Sequence, residues 1–194
     1  MRALLVLAHP LEDSLCAHLA SEAKAALEAR GATVDLLDLY AEDFQPALTA
    51  AERRLHYLTP APSNEVIALQ QRLATADTLV LVFPTWWFSM PAMLKGWFDR
   101  VWSPKFAFEQ GTPITPLLTG LKNCLVLTTL GSPWWIDRVV MRQPVKRVLK
   151  TGVMLACAPQ ARFEMLSFHA AETADAQQVE RYIGRMTGVI TTLR

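Results

Sequence analysis

Hydrophobic and polar positions change period several times along the chain. Residues 2–8, RALLVLA, form a near-continuous apolar run, as expected of a strand covered on both faces. Over 13–30 the apolar residues Leu15, Leu19, Ala23, Ala26 and Leu27 recur on one helical face, and Gly31 supplies a C-terminal stop. TVDLLDL (33–39) alternates, which predicts a strand nearer a sheet edge. The polar segment 40–63, with Pro46, Pro60 and Pro62, reads as a long excursion holding one short helix near 49–57. Residues 64–75 predict a helix with Val66, Leu69 and Leu73 inward, and DTLVLVFP (77–84) a second doubly covered strand. Pro91 suits the first turn of a helix that runs to about Trp102, with Leu94, Phe98 and Val101 toward the core. A loop over 103–120, a strand at 122–130, a helix at 137–151, a strand at 162–168 and a helix at 173–191 complete the pattern.

Strands that alternate with helices predict an α/β fold, a doubly wound five-stranded parallel sheet with helices on both faces. Right-handed crossovers leave few topologies, and five strands suggest the order 2-1-3-4-5. Ligands of such sheets bind outside the carboxyl ends of the strands, beside the point where strand order reverses. Three loops should project there: AHPLEDSLC (8–16), PTWWFS (84–89) and TTLGSPWW (128–135).

Length and composition narrow the class. At 194 residues, 52% apolar and 19% charged, the chain fits one ordinary globular domain. A net charge of +1 gives no electrostatic reason to expect nucleic acid, and Lys146, Arg147 and Lys150 read as a solvated helix face. Cys16, Cys124 and Cys157 are odd in number and widely spaced, which argues against a disulfide framework or a zinc site. His18 and His56 have no metal-ligand spacing to any partner. No apolar run approaches membrane-spanning length and no signal sequence is evident, so a cytoplasmic protein without membrane insertion is expected.

Each loop has a chemical reading and a structural one. The first leads into a helix N-terminus, where free N–H groups and the dipole favour phosphate; Ser14 adds a hydroxyl and His9 an imidazole N–H. Alternatively Asp13 or Ser14 only caps the helix, and Asp13 would repel a phosphate unless turned away. No glycine-rich dinucleotide or P-loop fingerprint is present. The second loop holds Trp86, Trp87 and Phe88, which either stack on a planar ligand or pack the core. The third begins with Thr128 and Thr129 and includes Gly131, where backbone can approach a ligand closely and donate N–H groups to developing charge. One phosphate loop, one aromatic loop and one Thr/Gly loop on a common edge describe a flavin site.

LVFPTWWFSMPAMLKGWFDRVW closely resembles a segment of the NAD(P)H:quinone oxidoreductase family of flavodoxin-like flavoproteins, F-P-x-x-W-F-x-x-P-A-x-L-K-G-W-x-D-R-V. LAHPLEDSL resembles the family's A-H-P-x-x-x-S-F/L, and VDLLDLYAEDFQPAL its second strand with the D-L-Y-x-x-x-F-x-P that follows. The resemblance covers about 3–131 well and the rest in layout. It implies a flavin, FAD or FMN, reduced by NADPH or NADH and reoxidised by a quinone-like acceptor. By position, His9, Ser14, Leu15 and Cys16 match residues that hold the flavin phosphate or pyrophosphate. Pro84, Thr85, Trp86, Trp87 and Phe88 match those that frame the isoalloxazine ring, and Thr128, Thr129 and Gly131 the loop at its pyrimidine end.

Three positions depart from the family pattern. Cys16 replaces a frequent asparagine, Leu130 a second glycine, and SPWWIDRVV the stretch where some members carry a Tyr and a His that support hydride transfer, so no acid–base residue is carried over. Trp134 and Trp135 either narrow the pocket or pack a dimer contact. The resemblance further implies a homodimer whose partner completes the pocket. Two rival functions stay open: an ancillary flavoprotein subunit that regulates a membrane transporter, and a flavodoxin-type electron carrier.

Overall fold

A computed structural model describes residues 1–58 and 63–194. Pro60 and Pro62 of the expected excursion lie outside the described residues. Strands β1 (Arg2–Leu7), β2 (Thr33–Asp38), β3 (Thr78–Pro84), β6 (Asn123–Leu130) and β7 (Arg162–His169) form one parallel sheet in the order β2-β1-β3-β6-β7. This is the expected 2-1-3-4-5 arrangement. Every residue of β3 and β6 is buried, the polar Thr78, Asn123, Thr128 and Thr129 included, whereas the TVDLLD of β2 stands at an edge.

Successive side chains of β1 separate the two cores. Leu4 and Val6 join the cluster under α3 (Asn64–Thr75) and α4 (Ala92–Val101), while Ala3, Leu5 and Leu7 join that under α1 (Leu15–Ala29) and α7 (Ala176–Thr191). α1 ends as expected. Gly31 takes φ +78°, its N–H bonds the Glu28 carbonyl at 2.8 Å, and Ala32 N–H reaches Leu27 at 3.1 Å.

The 40–58 excursion is fixed by a buried ion network on α4. Short helix α2 (Ala50–Leu55) opens with a capping box between Thr49 and Glu52. Arg100 Nη2 lies 2.6 Å from Glu52 and 2.7 Å from Glu65, with the Arg100 and Glu52 side chains only 5% and 7% exposed. Burial alone would raise the Glu52 pKa, but hydrogen bonds from Arg100 and Thr49 outweigh it and hold the carboxyl below its usual range.

Several expectations need correction. The proline-rich 103–120 loop contains a small hairpin, β4 (Phe108–Glu109) paired antiparallel with β5 (Thr115–Pro116). Pro91 occupies the cap position, just ahead of α4. The expected helix at 137–151 is interrupted. A π-helical turn, Ile136–Val140, ends where Arg142 and Gln143 adopt left-handed φ values of 56° and 51°. Helix then restarts with α5 (Pro144–Arg147), passes through a π-helical stretch, Val148–Met154, and ends in α6 (Leu155–Cys157). Pro144 explains the break: it has no N–H for the preceding turn and excludes Gln143 from right-handed helix. Ala171–Thr173 forms a separate 3-10 turn before α7, which Asp175 and Gln178 cap reciprocally.

Candidate active site

The three loops meet at the carboxyl edge of the sheet. Among the expected residues, His9, Pro84, Thr85, Trp86, Trp87, Thr129 and Gly131 line one cleft of about 340 Å³. Leu130, Ala171 and Glu172 complete it. Ser14, Leu15 and Cys16 form the start of α1, while Phe88 and Thr128 lie outside the cleft lining.

At the first loop, Ser14 is the N-cap of α1, its Oγ accepting from Ala17 N–H at 3.1 Å. That bond leaves the hydroxyl proton available outward. The backbone N–H groups of Leu15 and Cys16 have no acceptor among the described residues. His9 Nδ1 lies 3.1 Å from Leu11 N and 3.3 Å from the Leu11 carbonyl oxygen; in the tautomer that accepts from Leu11 N–H, Nε2–H is left as a donor. Asp13 is exposed. The helix end thus offers two free N–H groups, one hydroxyl and one imidazole donor.

The Cys16 thiol does not face outward. It is buried, 3.4 Å from Thr129 Oγ1. Burial pushes its pKa up to about 11, against a smaller lowering by the Thr129 hydrogen bond. Cys16 is therefore placed to serve a ligand through its backbone N–H. Thr128 is likewise inward, 2.7 Å from Thr85 Oγ1, and Thr85 N–H bonds the Thr129 carbonyl at 2.7 Å. These bonds lock the ends of β3 and β6 together beneath the cleft.

The aromatic loop is a tight turn. Trp86 and Ser89 exchange backbone hydrogen bonds at 3.1 and 2.9 Å, and Trp87 and Phe88 between them take φ values of 51° and 53°. Two consecutive positive φ values are the signature of a type I′ turn, which glycine and asparagine ordinarily fill. Left-handed backbone costs an ordinary L-residue about 1–2 kcal/mol. The outcome is that Trp87 is 99% exposed and Trp86 44%, with the Trp86 ring 6.1 Å from His9. Strained backbone of this kind clusters at binding and active sites.

In the third loop, a Cβ on Gly131 would lie 2.8 Å from Glu172 Oε1, the movable end of a flexible side chain, so the glycine keeps this loop close to the 3-10 turn after β7 without being demanded by backbone. Ser132 Oγ is buried without a hydrogen-bond partner among the described residues. Ala171 and Glu172 escaped the sequence reading. They belong to the loop after the fifth strand, which points to the same carboxyl edge and carries no aromatic or glycine signal.

Free phosphate donors at the start of α1 and an exposed indole pair at the cleft fit a flavin. Residues 1–185 match the family model for the flavodoxin-like fold. Over 111 residues the chain is 44% identical to the "Uncharacterized NAD(P)H oxidoreductase YcaK" of Escherichia coli (strain K12), covering 57% of each chain. It is 34% identical over 148 residues to NAD(P)H dehydrogenase (quinone) 1 of Rattus norvegicus, covering 68% of this chain and 54% of that protein. The chain thus spans little more than half the length of these two curated relatives. The crystal structure of Smu.1420 from Streptococcus mutans superposes over 100% of both chains with a TM-score of 0.87 at 27% identity. The chain belongs to the flavodoxin-like fold family, and proteins named as NAD(P)H:quinone oxidoreductases are among its relatives.

Proposed function

We propose that the chain is a flavin-dependent NAD(P)H oxidoreductase that passes two electrons to a quinone-type acceptor by alternating occupancy of one cleft. The observation that carries this reading is the Trp87–Phe88 turn, whose strained backbone sets an almost wholly exposed indole at the cleft. The names of the Escherichia coli and rat relatives support the same reaction class.

A bound flavin, FAD or FMN, supplies the two-electron chemistry between nicotinamide donor and acceptor. The chain's own residues bind and orient. His9 Nε2–H, the Ser14 hydroxyl and the N–H groups of Leu15 and Cys16 hold phosphate at the positive end of α1. Trp86 and Trp87 offer aromatic surface for the ring system, and Pro84 and Thr85 frame it from the end of β3. Gly131, in the cleft lining, admits close backbone approach.

A homodimer is part of the proposal. Val139, Val140, Val148 and Leu155 are 47–63% exposed and lie on the successive helical segments after β6, an apolar face suited to a second copy of this chain. Sedimentation equilibrium should return twice the chain mass. Three buried free thiols suit a reducing, cytoplasmic setting.

Anaerobic stopped-flow spectroscopy of flavin-loaded protein tests the function. Mixing with NADPH or NADH should bleach the flavin directly, and a quinone should restore it in a second, separate mixing step. Initial rates with both substrates varied should give the parallel double-reciprocal lines of a substituted-enzyme mechanism. A protein that binds flavin but is reduced by neither nicotinamide is a carrier or a regulatory subunit, and the proposal fails.

A further inference from the structure

A second cleft, of about 680 Å³, opens beside the first along the outer edge of β7. The two share a partition. Gly131 and Glu172 face the first, Trp134 and His169 face the second, and Ala170 N–H bonds the Ser132 carbonyl at 3.2 Å between them.

The second cleft is cationic on two opposing walls. Arg138 comes from the π-helical turn after β6, four residues beyond Trp134. Arg181 and Arg185, with Gln178, recur at helical spacing on one face of α7. None of the three arginines forms an ion pair among the described residues. The Arg185 guanidinium rests 5.5 Å above the Tyr182 ring, which limits its freedom. Asp137, next to Arg138 in the chain, has a side chain only 7% exposed and is engaged by His169 Nε2 at 3.1 Å. That pair ties the turn carrying Arg138 to the end of β7 and withholds the negative charge from the cleft. Trp134 contributes an indole that is 59% exposed.

Guanidinium groups on facing walls match phosphate oxygens bidentately, and an exposed indole beside them matches a purine face. The volume admits a nucleotide and far exceeds what a simple anion needs. We propose that this cleft takes the adenosine phosphate end of the nicotinamide donor, and that a 2′-phosphate read by Arg181 and Arg185 makes NADPH the preferred donor. The assignment to the donor rests on the proposed reaction in the first cleft; the phosphate chemistry of the second does not. The same chemistry exists in the adenosine diphosphate of FAD, and the test separates the two sources.

The probe is adenosine 2′,5′-bisphosphate, titrated calorimetrically into FMN-loaded and FAD-loaded protein. Binding of one equivalent to both forms is expected, tighter than that of adenosine and weakened by salt. Arg181→Ala/Arg185→Ala and, separately, Arg138→Ala should each weaken the probe by about tenfold or more, as loss of charge-assisted hydrogen bonds implies. All three side chains are exposed, so the variants should fold, and flavin affinity in the same samples reports the first cleft. In turnover the double variant should raise KM for NADPH more than KM for NADH, and more than KM for the quinone. Absence of probe binding, or equal binding by wild type and variants, overturns the proposal. Binding to the FMN form alone assigns the cleft to the flavin's own adenosine end and overturns the donor assignment. Probe binding through these arginines in a protein that no nicotinamide reduces keeps the phosphate cleft and overturns the reading of the first cleft instead.

Discussion

Four of the six tryptophans fall within 83–102, yet the segment divides them into two unlike pairs. Trp97 and Trp102, on and just after α4, are 0% and 6% exposed, stacked edge-on 5.9 Å apart, and each has an indole N–H without a partner among the described residues. Trp86 and Trp87, a few residues earlier, stand at the rim of the cleft with positive-φ backbone between Trp86 and Ser89. The first pair tolerates an unsatisfied polar group in order to bury aromatic area. The second accepts backbone strain in order to keep aromatic area exposed. Composition treats all four alike; only their place on helix or turn assigns them to stability or to binding.

The largest effect should come from the buried pair. Trp97→Ala should lower stability by about 3–5 kcal/mol in denaturant titration, because a wholly buried indole leaves a cavity. On the same helix, Gly96→Ala should cost about 1–3 kcal/mol by overpacking. An added Cβ would sit 2.2 Å from the Pro46 carbonyl oxygen, a backbone atom that can move only with the whole excursion.

At the rim the readout changes from stability to flavin affinity. Ser14→Asp keeps a competent helix cap, so thermal stability should hold, but it sets a carboxylate where phosphate is proposed to bind. Flavin affinity in this variant should fall by about tenfold or more. Equal affinity would show that Ser14 only caps. Trp87→Gly should leave stability within about 1 kcal/mol of wild type, since relief of left-handed strain opposes the entropy of glycine. Its flavin affinity should drop roughly three- to tenfold, the equivalent of one aromatic contact. A loss of stability as large as that of Trp97→Ala would erase the contrast between the pairs.

The smallest effect concerns the thiols. Burial pushes Cys124 up to about 12 and Cys16 and Cys157 each up to about 11. Native protein at pH 8 should therefore react slowly with iodoacetamide, and unfolding in guanidinium should release three fast thiols. A rapidly alkylated Cys16 would place its side chain outward, against the geometry described.

Much of the fold was legible because its signals are local. The apolar stretches within β1, β3 and β6, the edge-like alternation of β2, and Gly31 after α1 each act within a few residues. The short helix expected near 49–57 is present as Ala50–Leu55, opened by a capping box of Thr49 and Glu52. The break before Pro144 is also local, since proline bars Gln143 from right-handed helix, yet it falls inside the single helix expected over 137–151. The hairpin within 103–120 has strands of two residues, too short for any period.

Site residues divide the same way. The aromatic and glycine loops carry motif and position, so Trp86, Trp87 and Gly131 could be named in advance. That the Cys16 and Thr128 side chains turn inward, to Thr129 and Thr85, depends on contacts between distant strands and helices. Glu172 enters the cleft only because β7 ends beside β6, and the arginine cleft joins residue 138 to residues 181 and 185 only through that same edge. No spacing along the chain encodes either.

The most direct test is an equilibrium titration of FMN and of FAD into protein freed of cofactor, followed by flavin fluorescence. The account predicts saturation at one flavin per chain with strong quenching, and weaker binding by both Ser14→Asp and Trp87→Gly. Failure of the folded protein to bind either flavin would contradict it.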